Sequence, residues 1–317
     1  MRLRKVTLLI LILTLGFLSC KKDDDNATEI IIIPPNDRTE QQVIDKALLL
    51  EYLDTHYYNA SAFTDANTIS TQDLVITQLE DGETVPVGSR LLSDPNVVET
   101  ITITYADTTY DYYILRLNQG DGVDSPKFAD SVFGTYEGFT LDGEVFDSQV
   151  NPEVFFDLSS VIVGWRKVFP QFNTAVGFAE NGDGTVDYMN HGSGVMFLPS
   201  GLAYFNGTGP SGGITPYSPL IFKFDLYKML ENDQDGDGIP SYLEDRNGNE
   251  ELLTFEGFAD DDTDGDGTPD YFDSDDDGDG IPTINEDLDD DGDPTNDIGK
   301  NGIARYLDPE ETDFIVK

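Results

Sequence analysis

Apolar and polar positions change rhythm along the chain, and each rhythm predicts a different kind of segment. An unbroken apolar run, Val6 to Leu18, comes first. From Glu40 to His56 apolar residues fall at Val43, Ile44, Ala47, Leu48 and Leu50 to Leu53, helical spacing over about four turns, which predicts a packing helix. Residues 57–107 alternate short β-type runs ("DLVITQL", "ETITITY") with Gly, Pro and Asp turns and carry no recognisable chemistry. Period-2 runs then predict strands at Tyr112 to Leu117, Ser131 to Tyr136, Val154 to Leu158, Gly194 to Leu198 and Leu220 to Tyr227. "WRKVFPQF" predicts a short helix laid on that sheet, so the fold class is α+β and antiparallel. Beyond residue 231 apolar positions thin out and neither period persists.

Charge changes the picture for that last segment. The 317-residue chain carries a formal charge of −44, and residues 231–317 hold 31 Asp and Glu against 4 Lys and Arg. Nucleic acid and anionic membrane surfaces are therefore poor partners for this end, and cations are good ones. With 38% hydrophobic residues the rest of the chain is able to bury a core.

The apolar run at the start has Arg2, Arg4 and Lys5 before it and is too short to span a membrane comfortably, which reads as a targeting segment. It ends in Phe17-Leu18-Ser19-Cys20. A small residue before Cys resembles the lipobox of bacterial lipoproteins, with Phe17 where that pattern prefers Leu. The resemblance implies lipid on Cys20, the only cysteine, and anchoring to the cell envelope as an outer-membrane lipoprotein, periplasmic or surface-exposed. The plainer alternative is an ordinary signal peptide with an incidental thiol. "KKDDDNA" resembles surface-export signals of some Gram-negative lipoproteins, and "IIIIPPNDRT" reads as a tether.

Four ordered stretches, "GTYEGFTLDGEVFDS", "FDLSSVIVGW", "FLPSGLAY" and "GGITPYSPLIFKFDL", resemble FKBP-type peptidyl-prolyl isomerases over roughly residues 108–230. The resemblance implies an FKBP-like antiparallel sheet wrapped around a short helix with an apolar pocket between them. It implies Trp165, the only tryptophan, as the pocket floor. By the same resemblance Tyr136, Phe146, Asp147, Phe156, Val161 and Ile162 form walls, Tyr204 meets the bound peptide, and Ile214 and Phe222 close the apolar side. Rotating an X–Pro amide breaks C–N resonance, at about 18–20 kcal/mol. The planar amide is more dipolar than the twisted one, so an apolar aromatic site disfavours the ground state more than the transition state. No acid, base, nucleophile or metal is required for that. Departures from the family pattern are Phe205, which stands where Gly is usual and is expected to crowd its loop, and the longer link "AVGFAENGDGTVDYMNHGSG"; Ser160 stands before Val-Ile, and "GGITPYSP" keeps its Ile and prolines at altered spacing. Turnover and a binding-only proline pocket both stay open.

In the acidic segment Asp233, Asp235, Asp237 and Glu244 sit at positions 1, 3, 5 and 12 of a loop with Gly238 at 6. Asp262, Asp264, Asp266 and Asp273 repeat this, as do Asp275, Asp277, Asp279 and Glu286, with Ile239, Thr268 and Ile281 at position 7 offering carbonyls. Hard oxygens at alternating positions, a Gly for the sharp turn and a distal carboxylate suit Ca²⁺. Asp245, Asn247, Asn249 and Glu256 form a degenerate copy, and Asp287, Asp289 and Asp291 begin another. Pro240, Pro269 and Pro282 at position 8 argue against paired EF-hands. The array resembles thrombospondin type-3 repeats, which implies an irregular segment ordered around Ca²⁺; a disordered acidic tail is the alternative.

The expected organisation is a signal peptide over 1–20, a linker over 21–39, a small helical and β N-terminal region over 40–107, the FKBP-like isomerase domain over 108–230, the calcium repeats over 231–309 and a tail over 310–317. The expected work is proline isomerisation or chaperoning of envelope or secreted polypeptides, with proline-containing chains as partners. A structural or adhesion surface lipoprotein, with the β domain as spacer, is the rival of another class.

Overall fold

The computed structural model describes residues 35–66, 68–210, 212–253 and 260–315. The chain divides into two units, Met1–Pro35 and Asn36–Lys317, and all of the described helices and strands belong to the second. Cys20, the targeting segment and Glu256 lie outside the described residues.

Helix α1 spans Arg38–Thr55 and starts where the Asp37 side chain accepts the Glu40 amide at 3.0 Å, a standard N-cap. The helix is where the apolar spacing predicts it, but its buried face is another one. Gln41, Gln42, Asp45, Leu49, Tyr52 and Leu53 are buried, while Val43 is 68% and Ile44 53% exposed. The reason is polar: Asp45 accepts Gln41 Nε2 at 2.7 Å, the Ser200 amide at 2.7 Å and the Ser200 hydroxyl at 2.6 Å. Those bonds turn the Asp45 side of the helix inward, and Leu49 and Tyr52 follow on the same face.

After α1 comes a small antiparallel sheet of β1 (His56–Tyr58), β2 (Ile76–Gln78) and β3 (Arg90–Leu91), in the order β2-β1-β3. The main sheet has seven strands, all paired antiparallel. These are β4 (Val98–Tyr105), β5 (Thr108–Asn118), β6 (Ser131–Thr140), β7 (Val145–Gln149), β8 (Phe156–Asp157), β11 (Gly192–Leu198) and β12 (Leu220–Leu230). Their order is β4-β5-β11-β12-β6-β7, with β8 also on β6. β4 and β5 join through Ala106 and Asp107, both at positive φ (46° and 57°), the backbone a two-residue hairpin turn needs. The expected limit between 107 and 108 falls inside that turn.

Both faces of the central strands are covered, which explains their unbroken apolar runs. On one face Tyr112, Ile114, Met196, Leu198, Phe222 and Phe224 pack under a short helix, α2 (Val163–Val168), with Trp165 and Val168 facing the sheet core. On the other, Tyr113, Leu115, Val195, Phe197 and Ile221 pack against Leu49, Tyr52 and Leu53 of α1. The arrangement is α+β, an antiparallel sheet with a short helix. The run 154–158 shortens to β8, because Val154 is exposed and the Asp157 side chain caps a 3₁₀ turn at Leu158–Ser160. The link 175–194 folds into a hairpin of its own, β9 (Gly177–Glu180) with β10 (Val186–Met189).

From 231 onward the described chain contains short 3₁₀ turns and loops. The three full loops use one bonding pattern: the carboxylate at position 1 accepts the amide of the position-6 glycine, Gly238 to Asp233 (3.2 Å), Gly267 to Asp262 (3.0 Å) and Gly280 to Asp275 (3.1 Å). Those glycines have φ of 99°, 101° and 92°, which L-residues with a Cβ rarely adopt.

Candidate functional site

A cavity of about 470 Å³ opens between α2 and the sheet, lined by Tyr136, Asp147, Phe156, Ser160, Val161, Ile162, Trp165, Tyr204, Pro210 and Phe222. Trp165 is only 5% exposed. Three rings meet the indole edge-on: Tyr136 at 5.0 Å and 79°, Phe156 at 5.8 Å and 79°, and Phe222 at 5.6 Å and 89°. Edge-to-face packing of this kind holds an aromatic plane in one orientation. Gly164 makes the close approach of α2 possible, since a Cβ there would lie 2.3 Å from Leu198 Cδ1. The indole Nε1 is buried without a hydrogen-bond partner.

The cavity holds one short polar contact, from the Tyr136 hydroxyl to Asp147 Oδ2 at 2.9 Å. Burial, and then that bond, push the Tyr136 hydroxyl well above the ordinary phenol range, so it stays a donor at neutral pH. Burial raises Tyr204 in the same direction, with Asp147 adding to it.

Most of the side chains assigned to the pocket by resemblance line this one cavity. Phe146 and Ile214 do not. Phe146 packs behind the wall on Phe222, at 5.5 Å and 87°, and Ile214 is buried in the core. Pro210 lines the cavity and was missed, because nothing in a loop proline's sequence context says which way it faces. Phe205 does not reach the cavity. It sits at φ 48°, turned toward Tyr217 (5.1 Å, 88°) and the Arg38 guanidinium (4.3 Å), so the expected crowding is absorbed on the α1 side.

A larger concavity, about 750 Å³, lies by the β9–β10 hairpin. Its aromatic faces are already used: Tyr188 stacks on Tyr227 at 4.3 Å and 9°, and Lys228 Nζ lies 5.4 Å over Tyr188. Nearby, His191 Nδ1 is 3.0 Å from Ser193 Oγ, which donates to Asp225 Oδ1 at 2.8 Å. This is a structural bond chain, with Ser193 and Asp225 fully buried.

In the acidic segment carboxylates gather in groups able to hold a cation: Asp235, Asp237, Glu244 and Asp276; Asp262, Asp264 and Asp266; Asp275, Asp277 and Asp279; and Asp287, Asp289 and Asp291. The first group is the most enclosed. Asp237, Glu244 and Asp276 are 1%, 1% and 2% exposed. Asp235 Oδ2, Asp237 Oδ2, both Glu244 oxygens and both Asp276 oxygens are buried with no hydrogen-bond donor. Burial, reinforced by the neighbouring carboxylates, pushes Glu244 up to about 9 and Asp276 up to about 10. Asp235 is raised for the same reasons. Orphaned buried carboxylate oxygens facing one another are costly unless a cation is shared among them, so the donor set fits a hard divalent ion.

Asp276 was missed in sequence because it belongs to a different loop and sits off the alternating register. Asp233 lies outside this group, its oxygens taken by the Gly236 and Gly238 amides. Glu286 is 1% exposed with an orphaned oxygen and is pushed up to about 8 by burial and by Asp277, Asp279 and Asp275. Asp273 does not join the 262–266 group, which is the more exposed one. The degenerate loop is closed by its own amides: Asn249 Nδ2 donates to Asp260 Oδ2 at 2.5 Å and Asn247 Nδ2 at 3.1 Å.

No curated protein matches the sequence. Among solved structures, a peptidyl-prolyl cis-trans isomerase from Pseudomonas syringae pv. tomato is 19% identical, covering 62% of this chain and 98% of its own, at a TM-score of 0.35. FkpA from Escherichia coli is 25% identical over 40% of this chain and 51% of its own, at 0.31. The three FKBP domains of wheat FKBP73 are 16% identical over 38% and 47%, at 0.31. The acidic segment, residues 234–310, is matched by the family model described as BamM C-terminal.

Proposed function

We propose that this chain is a peptidyl-prolyl cis-trans isomerase, or a chaperone using the same pocket, acting on X–Pro bonds of envelope or secreted polypeptides. The observation that carries the reading is the cavity floored by a nearly buried indole and walled by aromatic rings. A pyrrolidine ring stacks on such a floor without polar demand. The dipolar planar amide loses solvation there and the twisted amide loses less, which lowers the rotational barrier. Asp147, held by the Tyr136 hydroxyl, and the Tyr204 hydroxyl stand at the wall to orient the peptide. Turnover of a prolyl tetrapeptide by the purified protein is the test; binding of the same peptide with no acceleration would favour the second reading, a non-catalytic proline-peptide module.

In the same proposal residues 108–230 form the isomerase domain and 231–309 a calcium-binding array. Asp235, Asp237, Glu244 and Asp276 hold one Ca²⁺ and the 275–286 loop another. Ca²⁺, when bound, supplies the positive charge that these buried carboxylates lack. The lipid anchor at Cys20 completes the proposal and places the protein in the cell envelope, attached to the membrane. Cys20→Ala is expected to release it from the membrane fraction; retention of that variant by the apolar run alone would remove the lipid anchor.

A further inference from the structure

Sequence places Trp165 and the carboxylates of the acidic array in separate regions, yet α2 touches that array directly. Arg166 and Lys167 follow Trp165 on the same short helix. Arg166 Nη2 meets Glu251 Oε2 at 3.0 Å, in an ion pair whose side chains are 10% and 14% exposed. Lys167 Nζ meets Glu250 Oε2 at 2.8 Å. Beside them Leu252 and Tyr271 from the array pack with Phe128 and Ala129 of the sheet domain in one small apolar cluster. Tyr271 also lies within electrostatic reach of Asp157, next to Phe156 of the cavity wall.

The enclosed carboxylate group joins the same two stretches of the array. Glu250 and Glu251 follow Glu244 in the chain, and Tyr271 precedes Asp276. Glu244 and Asp276 therefore meet at a point where, without a cation, their buried oxygens have no donor and nothing holds the two stretches together. We propose that a Ca²⁺ shared by Asp235, Asp237, Glu244 and Asp276 is a latch on the pocket: it holds the two stretches together, and through Glu251, Glu250, Leu252 and Tyr271 it holds α2 and its indole against the sheet. The inference rests on the peptide-pocket reading for its effect on ligand binding, but the latch itself is independent of turnover. Each ligand-set residue lies in the array and each responding residue in the sheet domain, so the two sites are distinct and linked by identified contacts, as a coupling between sites requires.

The only tryptophan in the chain is the pocket floor, so its emission reads the pocket selectively. The test is a CaCl₂ titration of the full-length protein, followed by Trp165 emission, by calorimetry and by the affinity of an Ala-Ala-Pro-Phe peptide. Ca²⁺ is expected to shift the emission to shorter wavelength and to tighten peptide binding by roughly fivefold or more. Asp276→Asn, which takes the carboxylate charge from the second stretch and leaves only an amide oxygen, is expected to require about tenfold more Ca²⁺ for the same emission change. Glu251→Gln keeps every ligand and is expected to retain the calorimetric heat while losing most of the emission change. Emission that responds to Ca²⁺ when no peptide binds would leave the latch standing and remove the peptide reading. Ca²⁺ heat with unmoved wild-type emission, no Ca²⁺ heat at all, or a Glu251→Gln protein indistinguishable from wild type would overturn the latch.

Discussion

Trp165 carries two jobs that separate under mutation. Its ring fills the space between Tyr136, Phe156, Phe169 and Phe222, and its face closes the cavity. Trp165→Ala is expected to lose about 3–5 kcal/mol of stability, the usual range for a large aromatic core truncation, and to lose peptide binding with it. Tyr204→Phe removes a hydroxyl from the cavity wall and no core contact, so its unfolding midpoint is expected to match wild type while peptide binding weakens. Chemical denaturation beside peptide titration checks both; a well-folded Trp165→Ala that binds peptide normally would remove the indole from the site. Residue by residue, the resemblance of four ordered stretches anticipated most of the side chains that line this cavity. Pro210 and Asp276 were not, because their partners come from elsewhere in the chain.

At the scale of elements, α2 depends on a glycine for its distance from the sheet. Gly164→Ala places a methyl against the fully buried Leu198 and is expected to cost about 1–3 kcal/mol through overpacking. Gly164→Ala that unfolds at the wild-type midpoint in a denaturant series would show that the helix has slack. The end of α1 is expected to be pH-sensitive. His56 stacks on Tyr52 at 3.7 Å and 10°, and burial lowers its pKa below the ordinary imidazole value. Tyr52 and His56 line a separate concavity at the end of α1, together with Glu137, Asp142 and Lys223. Because the folded value is depressed, the unfolded chain takes up the proton first; the contribution is full above the unfolded value of about 6.5 and is lost as pH falls from there toward the folded value. The stability difference between wild type and His56→Gln is therefore expected to shrink from about pH 7.5 to about pH 5. A constant difference across that range would place the His56 proton elsewhere. Helical spacing located α1, but Asp45 and Ser200 chose its buried face.

For the whole molecule, the acidic segment and the sheet are expected to respond to different conditions. Chelation is expected to expand the segment from 231 to 315 and open it to protease, while the sheet of β4 to β12 stays folded on its two apolar layers. Mg²⁺ is expected to restore compactness poorly, since it prefers a tighter octahedral shell and sheds water reluctantly. Small-angle scattering and limited proteolysis with Ca²⁺, Mg²⁺ or chelator read this directly; an equally compact, equally protected segment in all three would mean the carboxylate groups are stable without a cation.

Local chemistry was readable from sequence alone. Alternating carboxylates with a glycine at position 6 dictate the same turn wherever they occur, because the bonds that form it join neighbours in the chain. Strand periodicity is likewise local and predicted the sheet and the short helix, while the expectation for the cavity wall came from the resemblance of four ordered stretches to a known family. Tertiary structure alone decided which helix face is buried, where the ring of Phe205 goes, that Asp276 closes a carboxylate group begun by another loop, and that Arg166 and Lys167 reach the acidic array. Each of these depends on pairing between residues far apart in sequence, and burial and unpaired charge are settled only when such segments meet.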